Sequence, residues 1–290
     1  MIWNLGSINT DNFYLLPHLP APGETLAALQ FDQGLGGKGA NMSVAAARAG
    51  ARVEHIGAVG PNGSWAVERL LEYGVDTRHV SAIDIAMGHA NINVDQNGEN
   101  NIVLFAGANH GVTDQMIGAA LTEASPGDIL LMQNETLGQS YAATTAKTLG
   151  LRVIYAAAPF DAEATQLIMD QVDLLVLNEV EAAQLREATG KDLEDLPISD
   201  IVVTLGGDGC KWVSNKKKIT ESFAAYKVVP VDTTGAGDTF TGYLAAGLDR
   251  GMDIAAAIDL ASKAGALMVM RHGTADVIPD LKDIQDHDFG

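Results

Sequence analysis

Apolar runs that alternate with amphipathic segments constrain the fold of this chain more than any other feature. The short runs at 2–7, 53–59, 128–133, 152–157, 173–178 and 200–206 have the length of buried strands. Segments of helical period lie between them, and several end at glycine: 40–51, 64–74, 114–124, 139–150 and 179–190. This alternation predicts a mostly parallel sheet with helices on both faces, and a ligand at the carboxyl ends of its strands.

Two segments depart from that alternation. Residues 24–34 and 88–105 have a period of about two, and the second contains Asn97-Gly98, a strong hairpin signal. We interpret them as a small accessory sheet that covers the ligand site as a lid, with strands from about 10–35 and 88–106. The alternative is a hairpin at the edge of the main sheet. Residues 211–220 predict a further hairpin, and residues 1–290 are expected to form one domain.

Composition narrows the classes of partner. The formal net charge is −19, so the chain is expected to repel nucleic acid and anionic membrane surfaces. Residues 1–13 lack the basic stretch of a signal peptide, and no run of about 18 apolar residues predicts a membrane span. With Cys210 as the single cysteine, no internal disulfide can form, which suits a reducing cytoplasm. A polyphosphate would have to be bound locally, by backbone N–H groups, a metal ion and a few cations.

Polar side chains follow several of the predicted strands. Asn9 and Asp11 lie after the first strand, where their oxygens and amide suit vicinal hydroxyls, although an Asx-turn would place them equally well. Glu135 follows the strand at 128–133. Asn178 and Glu181 begin a helix, where an acidic residue either stabilises the helix dipole or holds Mg²⁺ through water.

Residues 34–41, GLGGKGAN, formally match the G-x-G-x-x-G pattern of dinucleotide-binding folds. In those folds the pattern usually follows the first core strand, whereas here an accessory strand leads into the loop. The acidic residue expected about 20 positions later is also missing. A helix-entry turn is the structural alternative. Lys38 and Asn41, with close backbone approach at the glycines, suit a polyhydroxylated ligand instead.

The stretch 231–240, VDTTGAGDTF, places small residues at the start of a predicted helix. Successive N–H groups there form an anion cradle, but Asp238 would repel a bound phosphate. An N-cap explains the helix start alone. The position of the Asp238 carboxylate is explained if it accepts a proton from a hydroxyl that attacks the phosphate. Residues 204–210, TLGGDGC, would let a flat ligand approach the backbone.

The motifs GSINTDN, GGKGAN, FAGAN, LLMQNE, NEVE, TLGGDG and DTTGAGDTF occur in this order. Together, from about residue 2 to 279, they closely resemble the PfkB family of carbohydrate kinases. The resemblance implies a ribokinase-like three-layer α/β/α domain with a small β-sheet lid, which in the family also joins two subunits into a homodimer. It implies phosphoryl transfer from ATP to the primary hydroxyl of a small sugar.

The resemblance also implies roles for individual residues. Asp238 would be the catalytic base, and the N–H groups of Gly235, Ala236 and Gly237 the anion hole. The residues expected to hold the sugar are Asn9, Asp11, Gly37, Lys38, Asn41 and Glu135. Asn178, Thr204, Gly206 and Gly209 would bind ATP, and Glu181 would hold Mg²⁺ through water. A monovalent-cation loop, usually for K⁺, would be formed by Asp232 and by carbonyls near Thr234, Arg271 and Gly273.

The chain departs from the family pattern at three places. A stretch that in the family often begins with asparagine is Ala156-Ala157-Ala158-Pro159 here. A helix that the family usually has between the positions of Glu181 and Thr204 is missing. A serine of the family's cation loop is replaced by Val277. The expected substrate is D-ribose, phosphorylated at O5. A nucleoside, fructose or an acidic sugar is the alternative within the family, and a dinucleotide-binding oxidoreductase or a non-catalytic sugar-binding protein is the alternative outside it.

Overall fold

A nine-stranded sheet forms the centre of the computed structural model, which describes residues 1–289. Its strands lie in the order β13-β12-β11-β10-β9-β8-β1-β4-β5, and all neighbours from β11 to β5 run parallel. The strands are β1 (Ile2–Leu5), β4 (Val53–Val59), β5 (Val80–Ala82), β8 (Ile129–Met132), β9 (Arg152–Ala156), β10 (Leu174–Asn178), β11 (Asp200–Thr204), β12 (Cys210–Ser214) and β13 (Ile219–Phe223). Every predicted core strand is confirmed, and the hairpin predicted at 211–220 is the antiparallel edge β12–β13.

Helices cover both faces of this sheet. The helices are α1 (Lys38–Arg48), α2 (Ser64–Glu72), α3 (Asp114–Leu121), α4 (Gln139–Leu149), α5 (Ala162–Ile168), α6 (Glu179–Thr189), α7 (Ala236–Asp249), α8 (Ile254–Met268) and α9 (Leu281–Asp286). Successive residues of β1 point to opposite faces, so Ile2 belongs to the apolar core that includes residues of α1, α7 and α8, while Trp3 belongs to the core that includes residues of α3, α4 and α6. The two apolar cores make the predicted three-layer α/β/α architecture.

A separate four-stranded sheet has the order β3-β2-β6-β7. It is built from β2 (Asn9–Leu16), β3 (Gln30–Gly36), β6 (Gly88–Asp95) and β7 (Asn100–Phe105). The β6–β7 hairpin turns at Asn97-Gly98, as predicted, and Asp95 accepts hydrogen bonds from the backbone N–H groups of Asn97 and Glu99. Because this sheet is distinct from the main one, the alternative of an edge hairpin on the main sheet is wrong.

The bounds of the small sheet differ from the sequence expectation in one segment. The strand expected within 24–34 begins only at Gln30, and residues 25–29 form no strand although their pattern alternates. Their side chains are mostly exposed, so the alternation there reflects no buried face. Asn9 and Asp11 lie in β2 of the small sheet, not in an Asx-turn.

Three further features of the fold are a short connection beside the site, a buried cysteine and the length of the helices. Between α6 and β11 the chain forms only a short 3₁₀ turn at Leu193–Asp195. Cys210 lies buried in β12, and burial raises the pKa of its thiol to about 11. Within residues 1–289, none of the helices has the length and hydrophobicity required to cross a bilayer.

Candidate active site

Most of the predicted site residues lie at or beyond the carboxyl ends of β1, β8, β10 and β11, on the side of the main sheet where its parallel strands end. The chain leaves β1 at Leu5 and enters β2 at Asn9, so the first strand of the main sheet leads directly into the small sheet. It returns through β3 into α1, which begins at Lys38. The small sheet and the first turn of α1 are therefore connected to the same side of the main sheet.

Asp238 lies in the first turn of α7 and is buried. Its Oδ2 accepts a hydrogen bond from Asn41 Nδ2 at 2.9 Å, and its Oδ1 lies 3.9 Å from Lys38 Nζ. The carboxylate of Asp238 raises the pKa of Lys38, with smaller contributions from Glu135, Glu181 and Asp11, so the ammonium stays charged. The predicted base is thus held in place by an amide and a cation from α1.

The backbone at the start of α7 has the form of an anion site. Gly235 adopts a left-handed conformation with φ of 72° and precedes the helix. Among residues 1–289 no protein group accepts a hydrogen bond from the N–H groups of Gly235 and Gly237. The N–H of Ala236, in contrast, donates to the Thr233 carbonyl at 3.3 Å. The predicted cradle of three amides therefore has two N–H groups available and a third engaged in a turn.

Among the carboxyl groups of the site, Asp11 has the pKa furthest from its ordinary value. Burial raises its pKa to about 7, with repulsion from Glu135 and Asp238 acting in the same direction and Lys38 opposing them. Strand β3 closes over it, since a Cβ added to Gly36 would lie 2.0 Å from Asp11 Oδ2. A larger residue at position 36 would displace the Asp11 carboxylate, and Gly36 was not among the site residues predicted from the sequence.

Glu135 is bound to both segments that flank it. Its Oε2 accepts hydrogen bonds from the Ser7 hydroxyl and from the backbone N–H of Lys38, the latter at 3.0 Å. Ser7 Oγ also accepts from the Gly39 N–H at 3.2 Å. Ser7, which was not predicted from the sequence, thus joins the end of β1 to the first turn of α1.

Asn9 is oriented by a second asparagine. Asn109 Nδ2 donates to Asn9 Oδ1 at 2.7 Å, and Asn109 Oδ1 accepts from the backbone N–H of Ile8 at 2.9 Å. Asn109 is 1% exposed. This contact leaves the Asn9 amide N–H₂ as the group available to a ligand. FAGAN contains Asn109, but its sequence gives no indication of this contact across 100 residues.

The predicted nucleotide and magnesium residues lie at the start of α6 and at the end of β11. Asn178 and Glu181 form a capping box: Asn178 Oδ1 accepts from the Glu181 N–H, and Glu181 Oε2 accepts from the Asn178 N–H, both at 2.8 Å. Burial and the nearby Asp238 raise the pKa of Glu181, opposed by its Asn178 bond and by Lys38. Thr204 ends β11, and Gly206 and Gly209 follow in a turn with positive φ.

The predicted cation loop joins two separate segments. Asp232 accepts from the Thr234 N–H at 2.9 Å and from the Gly273 N–H at 3.3 Å. Within residues 1–289 no donor contacts the carbonyls of Thr234, Arg271 and Gly273. Arg271 uses its guanidinium on the Val277 carbonyl, at 3.0 Å, and on Asp283. The described residues contain no cluster of three or more His, Cys, Asp or Glu side chains arranged for a metal.

This arrangement is suited to transfer of an anionic group to a hydroxyl. A carboxylate in hydrogen-bond reach of a substrate hydroxyl can take its proton, and helix-start amides beside it can stabilise negative charge. The fold and site together define a phosphotransferase that acts on an alcohol group.

Residues 2–281 match the model of the pfkB family carbohydrate kinases. A ribokinase of Haemophilus influenzae is 34% identical over 290 residues, covering 95% of this chain and 94% of that protein. A deoxyribokinase of Salmonella typhi is 28% identical, with 98% and 97% covered. The structure of an Arabidopsis thaliana ribokinase complexed with ribose and ATP superposes with a TM-score of 0.86 at 26% identity, with 98% and 97% covered. The chain belongs to the PfkB family of carbohydrate kinases, as its motifs predicted.

Membership of this family excludes the alternative of a dinucleotide-binding oxidoreductase. The structure gives the physical reason, because the strand before GLGGKG is β3 of the small sheet and not a core strand. Gly36 contacts the Asp11 carboxylate, and a pyrophosphate would meet that negative charge.

Proposed function

We propose that this protein transfers the γ-phosphoryl group of ATP to O5 of D-ribose. One observation carries the proposal: the Asp238 carboxylate, held by Asn41 and Lys38, lies one residue after the unpartnered N–H of Gly237. A simple anion site would gain nothing from a carboxylate at that position. The relatives named ribokinase and the neighbour that binds ribose and ATP support the choice of substrate.

The sugar would lie among the polar groups at the start of α1 and in β2. Asn9 offers N–H donors, Asp11 and Glu135 offer carboxylate acceptors, and Lys38 offers a cation. Such a mixture of donors and acceptors suits neighbouring hydroxyls of a sugar. Gly37, at the start of α1, and Asn41, whose Oδ1 is buried without a partner among the described residues, complete the proposed set.

In the proposed reaction Asp238 accepts the proton of the O5 hydroxyl as that oxygen attacks the γ-phosphorus. The bond from phosphorus to the β,γ-bridging oxygen breaks, and ADP leaves. The N–H groups of Gly235 and Gly237 would stabilise the transferring group, and the Ala236 N–H could join them by leaving the Thr233 carbonyl. The Lys38 ammonium, 3.9 Å from Asp238 Oδ1, offsets negative charge in a crowded acidic site.

ATP would be held by Asn178, Thr204, Gly206 and Gly209, and Mg²⁺ by Glu181 through water. Glu181 fits this role because one carboxylate oxygen is fixed by the Asn178 N–H, which leaves the other for a hydrated cation. When bound, Mg²⁺ neutralises phosphate charge, which a chain with net charge −19 needs. The loop of Asp232, Thr234, Arg271 and Gly273 fits K⁺ through its unpartnered carbonyls.

The proposed location of the protein is the cytoplasm, where ATP is available. The proposed oligomer is a homodimer whose subunits associate through the small sheet. Strand β7 exposes Ile102, Val103, Leu104 and Phe105, each by about half of its surface. Successive residues of a strand point to opposite faces, so Ile102 and Leu104 lie on one face of the sheet and Val103 and Phe105 on the other. The strand register places Leu104 beside Ala90, which pairs with Asp11, so Ile102 and Leu104 continue the face that carries Asp11. An exposed apolar edge of this kind requires a cover, and a second copy of the lid is the proposed one.

An ADP-release assay over D-ribose, 2-deoxy-D-ribose, D-fructose and inosine tests the function, with Mg²⁺ and K⁺ each included or omitted. We expect D-ribose to give the highest kcat/KM. Asp238→Asn is expected to lose at least about 10²-fold in kcat, the scale of general-base loss. Turnover of the variant at the wild-type rate would refute the base assignment, and absence of turnover with both pentoses would refute the substrate. If all four acceptors fail while the protein binds ribose, the alternative of a non-catalytic binder gains support.

A further inference from the structure

A chain of buried hydrogen bonds lies beneath the two segments that carry the proposed sugar-binding residues. Its four side chains, here called the polar tetrad, are Gln133, Asn4, Ser43 and His55, and each is at most 1% exposed. Gln133 Nε2 donates to Asn4 Oδ1 at 2.8 Å, and Asn4 Nδ2 donates to Ser43 Oγ at 2.7 Å. Ser43 Oγ lies 2.8 Å from His55 Nδ1. The tetrad therefore joins β1, α1, β4 and the end of β8.

The tetrad ends on backbone groups of the site. His55 Nε2 lies 3.0 Å from the Gly6 carbonyl, and Asn4 Nδ2 donates to the Gly39 carbonyl at 2.8 Å. These two glycines touch, because a Cβ added to Gly39 would lie 2.4 Å from Gly6 Cα. Gly6 precedes Ser7, which binds Glu135, and Gly39 follows Lys38. The tetrad thus holds the two backbone segments from which the sugar-binding groups extend.

The direction of each hydrogen bond follows from its partners. The Gly6 carbonyl can only accept, so His55 carries its proton on Nε2, and Nδ1 accepts from the Ser43 hydroxyl. Ser43 Oγ in turn accepts from Asn4. Burial lowers the pKa of His55 to about 4, opposed by its bond to the Gly6 carbonyl, so the ring is neutral near pH 7. A protonated ring would place N–H against Ser43 and leave the hydroxyl hydrogen without its acceptor.

Apolar side chains of similar size would fill the space between the sheet and α1 without the cost of burying polar groups. A buried polar network that is fully paired fixes one arrangement of the elements it joins, because any shift leaves a buried group unpaired. The tetrad meets this condition except at Gln133 Oε1, which has no partner among the described residues. Its effect is to fix the position of α1 along β1.

We propose that Asn4, Ser43 and His55 are positioning residues for sugar binding, which set the separation between the Gly6–Ser7 segment and the first turn of α1. The inference rests on the proposed function for the identity of the ligand. None of the three is proposed to touch the substrate. They act indirectly, by positioning the groups that would bind the sugar. One is Glu135, whose carboxylate is fixed by the Ser7 hydroxyl and the Lys38 N–H. The others are the side chains of Lys38 and Asn41 on α1.

Ser43→Ala breaks the tetrad at its centre with the loss of one oxygen. We expect the KM for the sugar to rise about tenfold, the effect of leaving buried donors and acceptors unpaired near the site, while the KM for ATP stays within about twofold. His55→Gln keeps an N–H donor for the Gly6 carbonyl, so it should retain sugar affinity better than His55→Phe.

Asn215→Ala is the matched control. Asn215 donates to the carbonyls of Leu193, Leu196 and Ile198 at 2.9, 3.2 and 3.0 Å, in the turn after β12 at the far edge of the sheet. It should lower the melting temperature as Ser43→Ala does and leave the KM for the sugar unchanged. Equal losses of stability with no change in the KM for the sugar in either variant would overturn the positioning role.

Hydrogen exchange separates this inference from the proposed function. In Ser43→Ala the backbone amides of Gly39 and Ala40, which donate to Ser7, are expected to exchange at least about tenfold faster than in the wild type. Unchanged exchange at both amides would refute the inference. This measurement needs no turnover, so it decides the inference even if the wild type phosphorylates no sugar.

Discussion

Asp11 illustrates how the surroundings of one side chain set its chemistry. The same carboxyl group that would have an ordinary pKa in solution is buried by β3 and faces Glu135 and Asp238, which raise its pKa to about 7. Because the folded pKa exceeds the unfolded value of 3.8, protonated Asp11 favours the fold, and this stabilisation is lost as pH rises from 3.8 through about 7. Sugar hydroxyls that donate to the carboxylate would favour the ionised form instead.

The sugar KM should therefore depend on pH through Asp11. We expect it to rise by up to about tenfold per unit as pH falls below 7, because the protonated group accepts hydrogen bonds poorly. Asp11→Asn should remove this dependence, raise the sugar KM at pH 8 and raise the melting temperature there. The measurement is the KM for the sugar from pH 5.5 to 8.5 at saturating ATP. An unchanged pH profile in Asp11→Asn would contradict the assignment.

Residues of the site divide into those visible in the sequence and those that only packing reveals. Asn9, Lys38 and Asp238 stand at helix starts or strand ends, where motif and spacing mark them. Ser7 and Asn109 act on partners far along the chain, so nothing local distinguishes them from ordinary polar residues. Gly36 is needed because of a side chain that a neighbouring strand contributes. The members of the tetrad also contact residues far along the chain, so no local pattern marks them.

At the scale of elements, the start of α6 combines a structural and a functional role. Asn178 caps the helix and holds the Glu181 N–H. Helix capping alone accounts for the residues N-E-V-E, because Asn178 and Glu181 form the capping box. What indicates a magnesium site is therefore the location of this box at the carboxyl end of β10, where ligands bind in parallel sheets.

Asn178→Ala should separate the two roles when compared with Asp253→Ala. Asp253 caps α8 through the Ala256 N–H at 2.8 Å, at the end of α8 away from Gly235. Each variant is expected to lose about 1 kcal/mol of unfolding free energy. Only Asn178→Ala should raise the KM for ATP and the Mg²⁺ concentration for half-maximal rate, by about tenfold. Equal kinetics in the two variants would limit Asn178 to helix capping.

The core elements were predictable because each strand is a continuous apolar run and each helix has a clear period. The small sheet was harder to predict, since its strands carry Asn, Asp and Gly, and β3 and β7 expose most of their residues. The alternation at 25–29 resembled a strand, but among the described residues its only backbone hydrogen bond to a strand runs from the Leu29 N–H to the Leu15 carbonyl, so β3 begins at Gln30. Strand pairing is decided by distant segments, which local patterns do not contain.

At the scale of the whole molecule, the exposed face of the lid predicts association. Leu104→Glu places a charge in that face and should convert a dimer to a monomer, measured by sedimentation velocity at micromolar protein. Leu167→Glu is the control, because Leu167 is 70% exposed on α5 of the main domain. We expect Leu167→Glu to remain dimeric. A wild type that sediments as a monomer, or a Leu104→Glu dimer, would refute the proposed interface.

The single thiol of the chain has a practical consequence. Cys210 is buried in β12, and its raised pKa leaves almost no thiolate at neutral pH, so maleimides and alkylating reagents should react with it very slowly. A cysteine introduced at Gln96, which is exposed in the turn between β6 and β7, would then be the one site that a thiol-reactive dye modifies. A fluorophore attached there would report movement of the lid on sugar binding without background labelling from the native thiol.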